Sequence, residues 1–257
     1  MTANYHTHTT RCRHAVGTER EYIETAIARG LKVLGFADHT PQFFPTDDYY
    51  SNYRMYPEET EGYFRTLDDL RREYRDDIEI KIGLEAEYFP EIFDKLIEFI
   101  KPFGFDYLIL GQHYIDNEYD THIYSGFAHS EEALLKRYVD AVLAALATEK
   151  FSYIAHPDLF LFDGDDATYE KHYRRLCEGA KAAGIPLEIN FLGLFANRHY
   201  PCDKFFRIAK AVGNDFVFGC DAHEPDAVMN QTAYQKALDF AARFEIEPLE
   251  RVELKKI

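Results

Sequence analysis

The sequence predicts an α/β protein whose parallel strands close, or nearly close, into a seven-stranded barrel. Three observations carry this reading. Short apolar runs alternate with amphipathic stretches seven times along the chain, and strands linked by covering helices pair in parallel. The length of 257 residues suits a single barrel domain over residues 1–257. A doubly wound open sheet is the competitor, but it wants a Gly-rich phosphate loop after its first strand, and the sequence has none there.

Taken in order, Tyr5 to His8 is the first predicted strand. Thr18-Glu19-Arg20-Glu21 is a capping box that opens a helix, and Gly30 closes it. Lys32 to Phe36 is the second strand, Pro57 to Tyr74 a helix, and Ile78 to Leu84 the third strand. A helix over Pro90 to Ile100 leads to the fourth strand, Tyr107 to Leu110. Ser130 is read as the cap of a long helix running to Thr148, before a fifth strand at Tyr153 to Ala155. Asp166 to Ala183 is helical, stopped by Gly184; Pro186 to Ile189 is the sixth strand. Asp203 to Val212 is a helix, Phe216 to Gly219 the seventh strand, and Asp226 to Phe244 the last helix. The loop from Pro41 to Pro57 is long and rich in aromatics, and loops of that length in compact domains are often functional.

Composition narrows the function. A net charge of −16 argues against a nucleic-acid polymer as partner, since such binders carry a basic footprint. No apolar run is long enough to span a membrane, and the start Met1-Thr2-Ala3-Asn4 lacks the pattern of a signal peptide. The four cysteines (Cys12, Cys177, Cys202, Cys220) show no CxxC pairing and are read as reduced thiols of a cytoplasmic protein. The abundant Tyr (19) and Phe (21) are read mainly as core.

In a parallel barrel the chemistry sits at the C-terminal ends of the strands. There the sequence sets His6-Thr7-His8, with His14 beyond; Ala37-Asp38-His39; Glu85, with Glu87 two further; Gly111-Gln112-His113; His156-Pro157-Asp158; Asn190; and Asp221-Ala222-His223. Seven of the eleven histidines fall at this one rim. Carboxylates and imidazoles converging there would be costly unless cations compensated them. Side chains two apart on a strand point the same way, so His6 and His8 can grip one ion, and Asp221-x-His223 repeats the device. Imidazole with carboxylate suits zinc, manganese or iron.

These motifs, in this order, resemble the polymerase-and-histidinol-phosphatase (PHP) superfamily over nearly the whole chain. Tyr5-His6-Thr7-His8-Thr9, Gly83-Leu84-Glu85-Ala86-Glu87-Tyr88-Phe89-Pro90 and Gly219-Cys220-Asp221-Ala222-His223 are most similar to its stand-alone histidinol-phosphatase branch. The resemblance implies a distorted seven-stranded (β/α)7, TIM-like barrel holding two or three divalent ions. It implies one ion on His6, His8, Glu85 and Asp221; a second on Glu85, His113 and His156, with Glu85 bridging; and a third on His14, His39 and His223. It implies a metal-dependent phosphomonoesterase, histidinol-phosphate phosphatase of histidine biosynthesis, in which a metal-bridging hydroxide attacks phosphorus. Glu85, Asp221 and Arg198 are its expected catalytic residues.

A phosphate dianion also wants a cation, and relatives carry an arginine in the loop of Ala196-Asn197-Arg198-His199-Tyr200-Pro201, so Arg198 is the first expectation. Arg54 in the aromatic loop is the second, with Arg11 and Arg13 behind it; Asp38, Glu87 and His199 are candidates for protonating the leaving group. One stretch departs from the branch: where relatives often carry basic residues after His-Pro-Asp, this chain has Leu159-Phe160-Leu161-Phe162, which suggests a more apolar pocket or a cation from elsewhere. Two other signals are set aside. Cys202-Asp203-Lys204-Phe205-Phe206-Arg207 has one residue too few for a cysteine-phosphatase loop, and Asp163-Gly164-Asp165-Asp166 reads as acidic helix capping. The competing classes are a phosphodiesterase or nuclease of the same superfamily and a non-catalytic metal-binding module.

Overall fold

The computed structural model describes residues 1–46 and 48–256. Seven parallel strands follow one another in sequence order around a single sheet: β1 (Ala3–Asn4), β2 (Val33–His39), β3 (Glu79–Ala86), β4 (Tyr107–Leu110), β5 (Phe151–Ile154), β6 (Leu187–Asn190) and β7 (Phe216–Gly219). Just beyond the ends of β1 and β7, Thr7 bridges Ala222 in parallel. His8 N donates to Ala222 O at 2.9 Å and Ala222 N to His6 O at 3.3 Å. The barrel is thus nearly closed, drawn together at the rim that carries the histidines. It is distorted: β1 pairs over two residues only, and the register shifts between Leu108 and Leu110 against β5.

Alternation along each strand sorts the interior from the outer layer. Leu34, Phe36, Leu84, Leu108, Leu110, Leu187 and Ile189 pack outward under the helices, whereas Val33, Ala37, Tyr107, Ile109 and Val217 fill the barrel. By the same alternation Glu85, Glu188 and Asn190 point inward. The outer layer is α1 (Glu19–Ala28), α2 (Thr60–Glu73), α3 (Pro90–Ile100), α4 (Glu132–Ala147), α5 (Asp166–Ala182), α6 (Phe191–Phe195), α7 (Asp203–Val212) and α8 (Gln231–Arg243). Behind α8 the chain returns under the barrel. Leu249 bridges Val217, and Val252 joins the interior cluster, sealing the end away from the histidines. No helix among the described residues is long and apolar enough to cross a membrane.

Most elements lie where the sequence predicts them, and the differences have local causes. The capping box at Thr18 is present, and Asp165 caps α5 by accepting from Thr168 N. The first strand is Ala3–Asn4, not Tyr5–His8: Asn4 takes the bonds a longer ladder would use, accepting from His6 N and Cys220 N. Ser130 does not cap α4; Glu131 holds that position without a side-chain bond. The helices predicted from Pro57 and Asp226 each begin as a 3-10 turn, and α8 proper starts only after Asn230 caps it. The short α6 has no counterpart in the sequence reading; Asn190 caps it by accepting from Gly193 N at 2.9 Å. Among the described residues the four cysteines form no disulfide.

Candidate metal centre

Glu85, at the end of β3, is the hub of the rim and is buried to 1% exposure. Its Oε2 lies 3.5 Å from His6 Nε2, 3.5 Å from His8 Nε2 and 3.0 Å from His39 Nδ1. Its Oε1 lies 3.0 Å from His156 Nε2 and 3.6 Å from His113 Nε2. The two carboxylate oxygens therefore face two different sets of imidazoles. Asp221 Oδ1 completes the first set, 3.5 Å from His6 Nε2 and 3.2 Å from His8 Nε2.

Hydrogen bonds fix which ring nitrogens offer lone pairs. His6 Nδ1 lies 2.8 Å from Glu188 Oε1, and a carboxylate only accepts, so Nδ1 donates there and Nε2, turned to Glu85 and Asp221, is the nitrogen left to bind an ion. His113 repeats the pattern, with Nδ1 3.1 Å from Glu87 Oε1. This carboxylate-to-imidazole device orients metal-ligating histidines. His6 Nε2, both nitrogens of His8 and Glu85 Oε2 are buried and have no hydrogen-bond partner among the described residues. Buried polar atoms in such a state are costly, and a cation shared among them removes the cost. Four ligands about 2.0–2.1 Å from a zinc-like ion stand roughly 3.3 Å apart, which the 3.2–3.5 Å separations of the first set match. The residues present thus fit divalent ions.

The proton affinities express the same need. Burial opposes charge on His6, but Glu188, Asp221 and Glu85 overcome it and raise its pKa to about 10. Burial pushes the Glu85 carboxyl up, yet His39, His113 and His6 outweigh it and hold it well below the usual range. Asp221 is held down in the same way, against its burial, by His6, His8 and His223. Burial lowers His39 far below the ordinary imidazole value, and burial with the neighbouring His8 takes His223 to about 3. Ionised Glu85 and Asp221 and neutral His39 and His223 are already in the forms that ligate metal, whereas on His6 a metal must take the place of a proton.

The third predicted set is looser. His14 Nε2 and His223 Nε2 face each other at 2.9 Å. Each ring's Nδ1 lies against a carbonyl, Cys12 O at 2.7 Å and Asp221 O at 3.1 Å, so both Nδ1 atoms donate and two lone pairs meet unless a proton or an ion lies between them. His39 sits between the sets: its ring centroid is 5.4 Å from that of His14, while its Nδ1 is turned to Glu85. His8, His39 and His223 also bring ligand atoms within 4.8 Å of one another.

Over the rim opens a cavity of about 630 Å³, walled by Glu85, Asp221, His113, His156, Arg198 and Tyr200 together with Tyr49, Tyr53, Arg54, Tyr114, Tyr124 and Phe127. Arg198 reaches it and donates to the Tyr200 hydroxyl at 2.7 Å. Arg54 also borders it, but its guanidinium is shared between Glu87 and Glu118. Arg11 pairs with Glu19, and Arg13 with Glu59 beside the Tyr56 ring; neither lines the cavity. Asp38 is fully buried, accepting from Thr9 and from His39 N, and His199 Nε2 donates to Leu159 O at 2.8 Å. The apolar stretch after His-Pro-Asp turns away from the cavity, with Leu159, Phe160 and Phe162 buried in the core. Sequence reasoning missed Glu188, Tyr200 and Glu118. Glu188 left a trace: it is a charged residue in an otherwise apolar strand, in step with Asn190.

Comparison with known proteins shows the family and the fold. The model of the family described as PHP domain matches residues 4–191. A Deinococcus radiodurans protein described as "Probable histidinol-phosphatase" is 31% identical over 239 residues, covering 87% of this chain and 86% of its own. The histidinol-phosphatase of Bacillus subtilis is 28% identical, covering 85% and 92%. A solved structure from Lactococcus lactis, described as histidinol phosphate phosphatase complexed with zinc, L-histidinol and phosphate, superposes with a TM-score of 0.73 at 22% identity over 96% of this chain and 95% of that one, a likeness of fold. On the family match and the Deinococcus relative together, the chain belongs to the PHP domain family.

Proposed function

We propose that this protein is a metal-dependent phosphomonoesterase that converts histidinol phosphate and water to histidinol and phosphate. The observation that carries it is Glu85, whose two buried oxygens face two sets of imidazoles beneath a cavity that also presents an arginine. The relatives named above support the choice of substrate. In this reading His6, His8, Glu85 and Asp221 hold one ion, Glu85, His113 and His156 a second, and His14, His39 and His223 a third. Bound there, divalent ions supply a water acidic enough to attack at neutral pH and neutralise charge on the phosphoryl oxygens.

The chain's own groups do the rest. Arg198 binds a phosphate oxygen by charge-assisted hydrogen bonding and adds the positive charge a dianion needs. Tyr200 accepts from Arg198, so its own phenol proton is free for the phosphoryl or leaving-group oxygen. Burial and Asp221 raise the Tyr200 pKa, so it stays a donor at neutral pH. Glu188 and Glu87 hold His6 and His113 in the ligating tautomer. The aromatic wall takes the organic half of the substrate and limits water around the reacting bond.

The test is phosphate release by purified protein, metal-stripped and then supplied with zinc, manganese or iron, on histidinol phosphate, several sugar phosphates and a diester. Preference for histidinol phosphate with full dependence on metal is expected. Equal turnover by the stripped protein, or preference for the diester, would overturn the reading.

A further inference from the structure

The long loop delivers Arg54 into the interior at 2% exposure. Arginine is almost never buried unpaired, and here Nε donates to Glu118 Oε2 at 2.6 Å while Nη2 donates to Glu87 Oε1 at 3.1 Å. Glu118, in the loop after β4, also accepts from the Tyr49 hydroxyl at 2.8 Å, so the loop grips it twice. Glu87 Oε1 is the same atom that lies 3.1 Å from His113 Nδ1. A continuous chain of contacts runs from the loop through Glu87 and His113 to Glu85.

We propose that Arg54 is a positioning residue that holds Glu87, and through it His113, in register for the second ion, so that ion and loop stabilise each other. This rests on the reading of His113 as a metal ligand. One guanidinium and two carboxylates leave one negative charge, set against the protonated Nδ1 of His113. A cation at the opposite nitrogen balances that charge and strengthens the Nδ1–H bond to Glu87. Arg54 Nε and Nη2 are taken by Glu118 and Glu87, and Nη1 is buried without a partner among the described residues, so in this proposal Arg54 serves the phosphate indirectly. Coupling of this kind is reciprocal: whatever affinity the ion gains from the ordered loop, the loop gains in order from the ion.

The experiment titrates metal-free protein with cobalt(II), followed by visible absorption and by counting bound metal after desalting. The paired variant Arg54→Met/Glu118→Gln removes the ion pair as a unit and leaves no uncompensated charge at position 118. It is expected to weaken one binding step by up to roughly 10–100-fold, the range for disturbing the groups that orient a metal-bound histidine, and to leave the other steps unchanged. His113→Ala identifies that step by abolishing it. Hydrogen exchange over residues 41–57 is expected to slow when cobalt binds the wild type and not when it binds the paired variant. Methylguanidinium added to Arg54→Ala should restore the lost step, a rescue that a general packing defect would not show. Should the paired variant fail to fold, Arg54→Lys, which keeps the charge without the fork, is expected to weaken the same step. A variant that titrates like wild type, or one in which every step weakens equally, would overturn the proposal. A wild type that binds no cobalt would instead overturn the metal reading itself.

Discussion

Gly111 and Glu85 occupy neighbouring strand ends so closely that a Cβ at position 111 would stand 2.6 Å from the Glu85 carboxyl carbon. Gly219 has the same relation to Glu188, with a Cβ there 2.5 Å from its carboxyl carbon. Each glycine makes room for a carboxylate that the proposed site uses. Gly111→Ala must therefore move Glu85, and a displacement of about 1 Å in a reacting constellation can cost on the order of 100-fold in rate. We expect kcat to fall by about that much with loss of bound metal, read by phosphate release and elemental analysis. Unchanged metal content in Gly111→Ala would count against Glu85 as the bridge.

Glu188 is the buried partner of three groups: His6 Nδ1 at 2.8 Å, His156 N at 2.9 Å and Asn190 Nδ2 at 2.8 Å. It ties two proposed ligands to one carboxylate. Glu188→Gln keeps the shape and removes the charge, and it is expected to lower metal affinity by about 10–100-fold. Competition with a chromophoric chelator measures this directly, and an unaltered affinity would show that His6 needs no such support.

The barrel was legible because each crossover helix and each apolar strand is a local pattern, and because HxH, Asp-His and Asp-Ala-His fall at successive strand ends. What was not legible depends on distance along the chain. Arg54 reads as a free loop cation until its partners Glu87 and Glu118, 33 and 64 residues away, come beside it. Glu188 lies inside a strand, where its meaning comes from His6, 182 residues earlier. The first strand was misplaced because Asn4 replaces ladder bonds with side-chain bonds, which no apolar periodicity records. His6 and His8 still both turn inward, because the chain stays extended through the Thr7–Ala222 bridge.

Arg198 and Tyr200 separate two roles on phosphoester substrates. Arg198→Ala removes a charge-assisted contact worth about 1.5–3 kcal/mol, so kcat/KM should fall roughly 10–150-fold on every phosphomonoester, alkyl or aryl. Tyr200→Phe removes only the phenol proton. If that proton goes to the leaving oxygen, the loss is large for an alkyl phosphate and small for p-nitrophenyl phosphate, whose leaving group needs no proton. Equal losses on both would assign Tyr200 to phosphate binding alone.

Metal and proton compete for the same nitrogens, which fixes the direction of the pH dependence. In the metal-free fold, burial opposes charge on His6 but its carboxylate neighbours raise the pKa to about 10, whereas an unfolded histidine titrates near 6.5. Between these values the folded state keeps a proton that the unfolded state has released. The stability this contributes is complete below about 6.5 and is lost as pH rises through about 10. Metal binding must displace the proton, so apparent affinity should rise with pH and binding should release protons near neutrality. His8 adds to the effect, since Asp221 and Asp38 raise its pKa well above the ordinary value against the opposing effect of burial. Calorimetric titration with zinc in two buffers of different ionisation enthalpy counts those protons, and more than one is expected at about pH 7. The thermal stability of the metal-free protein is expected to fall as pH rises from neutrality. Zinc binding without proton release would mean that His6 and His8 are not ligands.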